Sequence, residues 1–330
     1  MAFKAFIKFS LKKLLAAAIT IVAILCVNFA IFRMLPGDPV RLMFKDARLK
    51  SEQLEQIRKE YGLDRPMIVQ FGAYVKELLK GNLGISFWQK RPVVEVIASR
   101  IPNTLLLVLT ALVIAMIVGT LLGASAGWRS GSRFDSIVLS LSLAVYSVPT
   151  FAMGIIMLLV FAYLLAIFPF GGITSPASGL TGLAHIGDVL WHLVLPAVSI
   201  IFWYIGEYVL LTRSSMIDVL GKEYIITARA KGLREKDVLR KHALRNALLP
   251  VVTITGVNVA FAIGGIIEAE TVFSWPGIGR LAFEAVMKRD YPLLQGIFLF
   301  FAVAVVLLNL VVDLVYGYID PRIKVGVKEN

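Results

Sequence analysis

The chain carries one cysteine in 330 residues. No intrachain disulfide can form, and no cysteine-based metal site. That residue, Cys26, sits inside an apolar run, where a small packing side chain is the plain reading. Histidine is almost as scarce: His185, His192 and His242 are the whole set. The first two lie near Asp188, where solvated loop residues are expected and a weak metal site is the alternative. Two signatures of nucleotide and metal chemistry are missing. Without Gly-x-x-x-x-Gly-Lys-Ser/Thr there is no P-loop to cradle a nucleotide phosphate. Without His-Glu-x-x-His there is no zinc protease helix. Gly123-Ala-Ser-Ala-Gly127 matches Gly-x-Ser-x-Gly in letters alone: it lies inside a long apolar run and not at a strand-to-helix turn, so no nucleophile elbow is expected. The expectation is a non-catalytic chain with no cofactor and no metal of its own.

Charge is also sparse, at 17% of residues against 58% hydrophobic, with a mean hydropathy of +0.79. A soluble domain rarely has that balance, so the bilayer is the expected solvent. A membrane-spanning helix needs about 20 apolar residues. Charge-free or nearly charge-free runs predict six of them, at about 11–33, 101–128, 136–165, 191–212, 248–270 and 291–317. The run from Ser136 to Gly187 is too long for one span and breaks near Phe168-Pro-Phe-Gly-Gly172. No internal repeat suggests an inverted-repeat transporter. Phe32-Arg-Met-Leu-Pro36 is a poor cleavage site, so the first span is expected to be retained.

The net charge of +12 invites a nucleic-acid reading, but its distribution argues against one. Lys4, Lys8, Lys12 and Lys13 precede the first span. Arg213, Lys222, Arg229, Lys231, Arg234, Lys236, Arg240, Lys241 and Arg245 crowd one loop, while the loop between spans three and four has no Lys or Arg. Positive-inside orientation then places both termini, the 129–135 loop and the 213–247 loop in the cytoplasm. Residues 33–102 are basic too and must lie outside. Loops longer than roughly 60 residues translocate largely regardless of charge.

That external segment reads as structured. Pro36-Gly-Asp-Pro39 is a turn signal. Ser51 caps a first amphipathic helix ending near Gly62, with Leu54, Ile57 and Tyr61 as its stripe. A second helix is expected from Pro66 to Lys80, with Ile68, Phe71, Val75 and Leu78 on its apolar face. Such faces pack either on the chain's own external surface or on a delivery protein. In span two, Gly119, Gly123 and Gly127 continue a file of small residues from Ala111 and Ala115, giving a smooth face for close helix packing. Gly256, Ala260 and Gly264 repeat the pattern in span five. Pro149 and Pro196 should kink or loosen spans three and four.

Charges at membrane depth cost about 2.5–3.5 kcal/mol on insertion scales. Glu207 lies well inside span four and either lines a hydrated pathway or pairs with a neighbouring helix. Asn258 in span five, with Asn309 and Asp313 in span six, is expected to hydrogen-bond between helices; Asn258 is also a candidate pathway residue. Glu268 and Glu270 close span five on the outer side, where solvated loop charges are the expectation and attraction of a cationic ligand end is the alternative.

The stretch Lys222-Glu-Tyr-Ile-Ile-Thr-Ala-Arg-Ala-Lys-Gly232-Leu reads as a short helix with small side chains at Thr227, Ala228 and Ala230. Gly232 is placed to take the left-handed position past its end. A second basic helix is expected over about Glu235–Asn246, with Pro250 near the start of span five. Spacing alone leaves open a solvated connector or a docking element for a soluble partner.

The chain resembles the permease subunits of ATP-binding-cassette importers, in the dipeptide/oligopeptide/nickel branch. The matching wording is spread along it: Pro36-Gly-Asp-Pro39, Tyr61-Gly-Leu-Asp-Arg-Pro66, Gly81-Asn-Leu-Gly-Ile-Ser86, Ser147-Val-Pro-Thr-Phe151, Thr212-Arg-Ser-Ser-Met216, Phe273-Ser-Trp-Pro-Gly-Ile-Gly279, Arg289-Asp-Tyr-Pro292, Asn309-Leu-Val-Val-Asp-Leu-Val-Tyr-Gly317 and Asp320-Pro-Arg322. The Glu-Ala-Ala slots of the broad importer loop hold Ile226, Thr227 and Ala228, and the nearest acid, Glu223, comes almost one turn earlier.

The resemblance implies an all-α integral membrane protein of the type I importer fold, with an external helical insertion after helix 1. Residues 1–33 would be the cytoplasmic N-terminus and first span, 34–100 the external segment, 101–318 the permease core with its coupling loop at 213–249, and 319–330 a cytoplasmic tail. It implies ATPase coupling through Glu223, Tyr224, Thr227, Ala228, Arg229 and Gly232. It further implies a homologous second permease, two ATP-binding-cassette ATPases that bind ATP and magnesium, an external binding protein, a prokaryotic inner membrane as location, and no nucleic acid. Dipeptides or oligopeptides are the expected cargo; nickel chelates, glutathione and oligosaccharides are the alternatives. A self-sufficient secondary transporter or channel, supported chiefly by Glu207, is the reading from another class.

Overall fold

The computed structural model describes residues 2–34, 55, 64–176, 179–262 and 266–319. Among the described residues the regular structure is helical, and the β character is an isolated bridge between Ile85 and Pro92. The chain is an all-α integral membrane protein. Helices α1 (Ala2–Met34), α2 (Met67–Leu79) and α3 (Val93–Trp128) come first. Next are α4 (Arg133–Tyr146) and α5 (Thr150–Met157), the latter continued by a π-type stretch, Leu158–Leu164. Helix α6 (Gly182–Leu220) is followed by the short α7 (Glu223–Ala230). Helix α8 starts at Glu235–Asp237, passes through a π-type stretch at Val238–Ala243 and regains α geometry over Leu244–Ala247. Helices α9 (Leu249–Ala262), α10 (Ile267–Val272), α11 (Ile278–Lys288) and α12 (Tyr291–Ile319) complete the order.

Among the described residues, Phe9–Met34, Val93–Trp128, Gly182–Leu220 and Tyr291–Leu314 are long and apolar enough to cross a bilayer, and α4 with α5 makes a fifth if the bent pair is one span. The expected third span is therefore not one straight rod. It bends by 94° between Tyr146 and Thr150. Pro149 explains the break, because it lacks an N–H and its ring drives Val148 away from helical geometry. Pro196, in contrast, sits inside an unbroken α6. The expected span at 248–270 is divided between α9 and α10, with 263–265, including Gly264, outside the described residues. The expected helix at 51–62, the Pro36–Pro39 turn and the Asp320-Pro-Arg322 motif lie outside them as well.

The chain forms two compact units. The first comprises residues 1–102 and 281–330. Here α1 lies along α12, and Lys13 pairs with Asp313 at 2.8 Å. The expected face of α2 is corrected by one position. Phe71, Tyr74, Val75 and Leu78 are partly covered, whereas Ile68 points out with 77% of its surface exposed. Phe29 of α1 meets Phe71 edge-on at 5.3 Å and Tyr74 at 5.6 Å, and the Asn28 amide donates to the Tyr74 hydroxyl. Asp290 ties two sequence motifs together. Its buried carboxylate accepts from the Ser86 hydroxyl at 2.5 Å and from the Phe87 and Trp88 amides, and it caps α12 through the Leu293 amide. Pro292 follows in the first turn, where a missing N–H costs least.

The second unit, residues 103–280, is built on α3 and α6. Its core joins Leu107, Leu112, Ile200, Tyr208 and Trp275. A Cβ added at Gly119 would lie 2.7 Å from the Tyr208 Cβ. At Gly123 it would lie 2.6 Å from the Val209 oxygen, and at Gly127 2.7 Å from the Met216 Cβ. The glycine file of α3 is thus the face on which α6 rides. Gly206 of α6 does the same toward Tyr146 and Ser142 of α4, a close approach that its lone position did not advertise.

Candidate coupling site and buried polar groups

Helix α7 spans only two turns and is held in place by what flanks it. Its end is a Schellman cap. The Leu233 N–H donates to Ala228 O, the Gly232 N–H donates to Arg229 O, and Gly232 has φ +78°. Glycine occupies that backbone region at little cost, and the carbonyls left over at the helix end are satisfied. Ile225 and Ala228 face inward, into a cluster with Ala124, Met216, Val238, Ala243 and Ala247. Ala228 is therefore covered by the chain's own core, because i and i+3 share one helix face. Glu223, Tyr224, Ile226, Thr227, Arg229 and Ala230 are exposed.

Arg229 is engaged within the chain. Its guanidinium donates twice to the Glu235 carboxylate, at 2.9 and 3.1 Å, and lies 5.7 Å from the centre of the Trp128 ring. Thr227 donates back to Glu223 O. In α8, hydrogen bonding and charge from Lys241, aided by Arg234, hold the Asp237 carboxyl below the usual carboxylate range. The expected second basic helix is present over 235–247 but carries the π-type stretch in its middle.

Two further buried sites stand apart from α7, one built on Asp135 and one on Glu270. Asp135 is buried at the start of α4 and accepts from Arg213 of α6 through both oxygens, at 2.5 and 2.8 Å. It also accepts from the Gly131 N–H, and Ser132 caps α4 through the Asp135 amide. In the sequence Arg213 reads as one charge of a basic loop and as part of Thr212-Arg-Ser-Ser-Met216, with nothing to point to Asp135 as its partner. The second is Glu270. The expectation of a solvated loop charge fails, since the residue is fully buried. Its carboxylate accepts from the Thr104 hydroxyl at 2.7 Å and the Arg280 N–H at 3.0 Å, while the Thr104 oxygen accepts from the Ile278 N–H. Asn103 donates to Pro276 O and accepts from the Trp275 indole. A Cβ at Gly277 would fall on the Glu270 carboxylate, which is why Phe273-Ser-Trp-Pro-Gly-Ile-Gly279 needs its first glycine. Glu268 is exposed.

Within the membrane-spanning part, Glu207 of α6 accepts from the Asn258 amide of α9 at 2.8 Å. Asn258 is buried, Glu207 is half-buried, and Tyr208 shares a hydrogen bond with Thr255 beside them. The two candidate pathway residues thus form one pair. The expected solvated histidine pair is corrected at His192, which is buried and bonded through Nδ1 to Asp188 O. Asp188 itself takes two hydrogen bonds from Ser175. Among the described residues no three His, Cys, Asp or Glu side chains are grouped to hold a metal.

This architecture of long apolar helices, with a short capped helix between α6 and α9, is that of a multi-pass membrane protein. The profile of the binding-protein-dependent transport system inner membrane component matches residues 119–325, and the corresponding N-terminal profile matches residues 6–108. The chain belongs to the binding-protein-dependent transport system inner membrane component family. It is similar to the dipeptide transport system permease protein DppB of Escherichia coli K12, with 38% identity over 335 aligned positions, covering 96% of this chain and 99% of that one. It is also similar to the oligopeptide transport system permease protein AppB of Bacillus subtilis, at 37% identity with 92% and 95% covered. The di/tripeptide transport system permease protein DppB of Pseudomonas aeruginosa is 36% identical, again with 92% and 95% covered.

Proposed function

We propose that the chain is one transmembrane half of an ATP-driven importer for dipeptides and oligopeptides. The carrying observation is the near-full-length likeness to permeases named for those cargoes. A homologous second permease completes the pathway, two ATP-binding-cassette ATPases sit on the cytoplasmic side, and an external binding protein delivers the peptide. The partner ATPases bind ATP and magnesium, and this chain has no catalytic part. Both termini and the 213–249 loop lie in the cytoplasm of a prokaryotic inner membrane, as the Lys and Arg distribution favours.

Coupling runs through α7. Its exposed face, with Tyr224, Ile226, Thr227 and Ala230, enters a cleft on the ATPase, while Ile225 and Ala228 fasten it to the ends of α3, α6 and α8. Closure of the ATPase dimer pushes on α7, and the push is passed to α6 and α9 because the helix is packed and capped. Glu223 stands on the first turn in place of the usual glutamate of the loop. Arg229 and Gly232 support this by holding the shape of the element rather than by touching the ATPase. Glu207 and Asn258 line the pathway, where a half-buried carboxylate at membrane depth is best served by water or a cationic cargo group.

The test is ATP hydrolysis by the purified complex in lipid, with the binding protein loaded in turn with short peptides or a nickel chelate. Stimulation by peptides is expected. Stimulation by the chelate alone overturns the cargo, and solute flux with no ATPase in the complex overturns the importer reading.

A further inference from the structure

The Asp135–Arg213 pair is built more strongly than its place requires. Helix α4 already rests along α6 through Val138 and Val209, with Ala126 of α3 in the same cluster, and through the close approach of Gly206 to Tyr146. An ion pair is not needed to hold two helices that interlock over their length. Yet Asp135 has all but lost contact with solvent, and its side chain is 3% exposed against 21% for Arg213. Both oxygens of the carboxylate are committed to the guanidinium fork, and one also accepts from Gly131. A buried, bidentate pair adds little net stability over an apolar contact, but it fixes orientation, and removing one partner strands a charge. Such a pair sets geometry rather than strength.

Its position says which geometry. Arg213 stands one turn before Met216, and Met216 packs with Ile225 and Ala228 of α7 and against Gly127 of α3. Asp135 stands at the N-terminus of α4, directly after the 129–132 turn that leaves α3. The pair therefore closes the ends of α3, α4 and α6 just above the coupling helix. Helix α4 leads, through the 94° bend at Pro149, to α5. A displacement of α7 that moves α6 thus carries α4 with it only while that end stays clamped.

We propose that Asp135 and Arg213 are positioning residues for energy coupling: the clamp makes α4 follow the coupling helix. Without it the ATPases still bind and still turn over, but α4 lags and cargo movement per ATP falls. This rests on the proposed importer function, and the two are separated in the test.

The experiment uses the complete complex in lipid nanodiscs and proteoliposomes, comparing wild type, Asp135→Asn, Arg213→Lys and the swap Asp135→Arg with Arg213→Asp. Three quantities are read: ATPase co-purified per permease, stimulation of ATP hydrolysis by the loaded binding protein over the basal rate, and peptide taken up per ATP. In Asp135→Asn the co-purified ATPase and the basal rate stay within about twofold, while stimulation and uptake per ATP fall about tenfold, a size usual for coupling between sites. Arg213→Lys keeps the charge but loses the planar fork, so it folds yet lowers uptake per ATP in the same direction. The swap restores at least half of the lost ratio.

Unchanged stimulation and uptake per ATP in Arg213→Lys and Asp135→Asn overturn the proposal. So does a loss of co-purified ATPase that accounts for the whole fall in uptake, with no recovery in the swap. If Asp135→Asn fails to assemble, Arg213→Lys alone decides. A wild-type complex that takes up no peptide refutes the cargo reading only, because the stimulation ratio reads the clamp whatever the binding protein carries.

Discussion

Replacing Gly123 by alanine adds one methyl group where the two longest helices touch. That methyl would sit 2.6 Å from the Val209 oxygen, 2.9 Å from the Thr212 Cβ and 3.1 Å from the Val209 Cα. None of these atoms is the loose end of a flexible side chain. Carbon atoms rest comfortably about 3.5–4.0 Å apart, so α3 and α6 must separate by roughly 0.5–1 Å. A gap of that size forfeits roughly a quarter to a half of the dispersion well for the atoms along it. Gly119 and Gly127 lie on the same seam, so the loss extends over several turns. Overpacking of this kind costs about 1–3 kcal/mol, offset by about 1 kcal/mol of helix preference for alanine over glycine. The expected net effect is a destabilisation of up to about 2 kcal/mol. Gly72 on α2 supplies the control, since a Cβ there meets nothing within 4 Å. Gly72→Ala gains only the helix preference and stabilises by about 0.5–1 kcal/mol. Thermal unfolding of both variants in one lipid nanodisc preparation, followed by tryptophan fluorescence, reads the two signs. A Gly123→Ala protein at least as stable as wild type refutes the packing argument.

Gly232→Pro removes the N–H bonded to Arg229 O and forbids φ +78°, so peptide uptake is lost while the protein still reaches the membrane; normal uptake refutes the role of the cap. Ala228→Trp breaks the cluster around Ile225 and lowers thermal stability, whereas Ala230→Trp leaves stability alone and blocks co-purification of the ATPase; equal effects of the two refute the assignment of faces. Gly277→Ala displaces the Glu270 carboxylate from Thr104 and the Arg280 amide and costs about 3 kcal/mol, read as a lowered unfolding midpoint. Glu77 is held below its usual pKa of 4.5 by its hydrogen bonds from Lys80 and Asn82. Its support of the α2 C-terminus is thus present above pH 4.5 and lost as pH falls through the depressed value, which amide exchange at Asn82 will follow; exchange independent of pH-driven opening refutes it.

Much of this was legible in the chain because its signals are local. Apolar runs give spans by length, Gly232 gives a helix end by its backbone freedom, and glycines four apart give a smooth face. What escaped depends on contacts between distant segments. Asp135 and Arg213 are 78 positions apart and look like ordinary interfacial charges until α4 and α6 are brought together. Glu270 looks like a loop acid, and only the fold of Phe273–Gly279 over it makes it a buried hub. Ile68 satisfied helical periodicity yet faces outward, because the covering partner Phe29 reaches Phe71 and Tyr74 instead. Periodicity defines a stripe to within about one position, and the neighbour decides its centre.

The same distinction bears on how α7 can carry force. The visible link to its flank, Arg229 with Glu235, is solvent-exposed on both sides, at 44% and 60%. Exposed pairs of this type contribute about 0.2–1 kcal/mol and weaken with salt. A two-turn helix is itself too short to be stable alone. The stiffness must therefore come from burial of Ile225 and Ala228 against Met216, Val238, Ala243 and Ala247, together with the Gly232 cap. Small side chains at 228, 243 and 247 let these backbones approach closely, so little free volume is left to absorb a displacement. On the proposed coupling, a push on the exposed face is passed on to α6 and α8 rather than taken up by α7, and the expectation is that it does so at any ionic strength that leaves the apolar cluster intact.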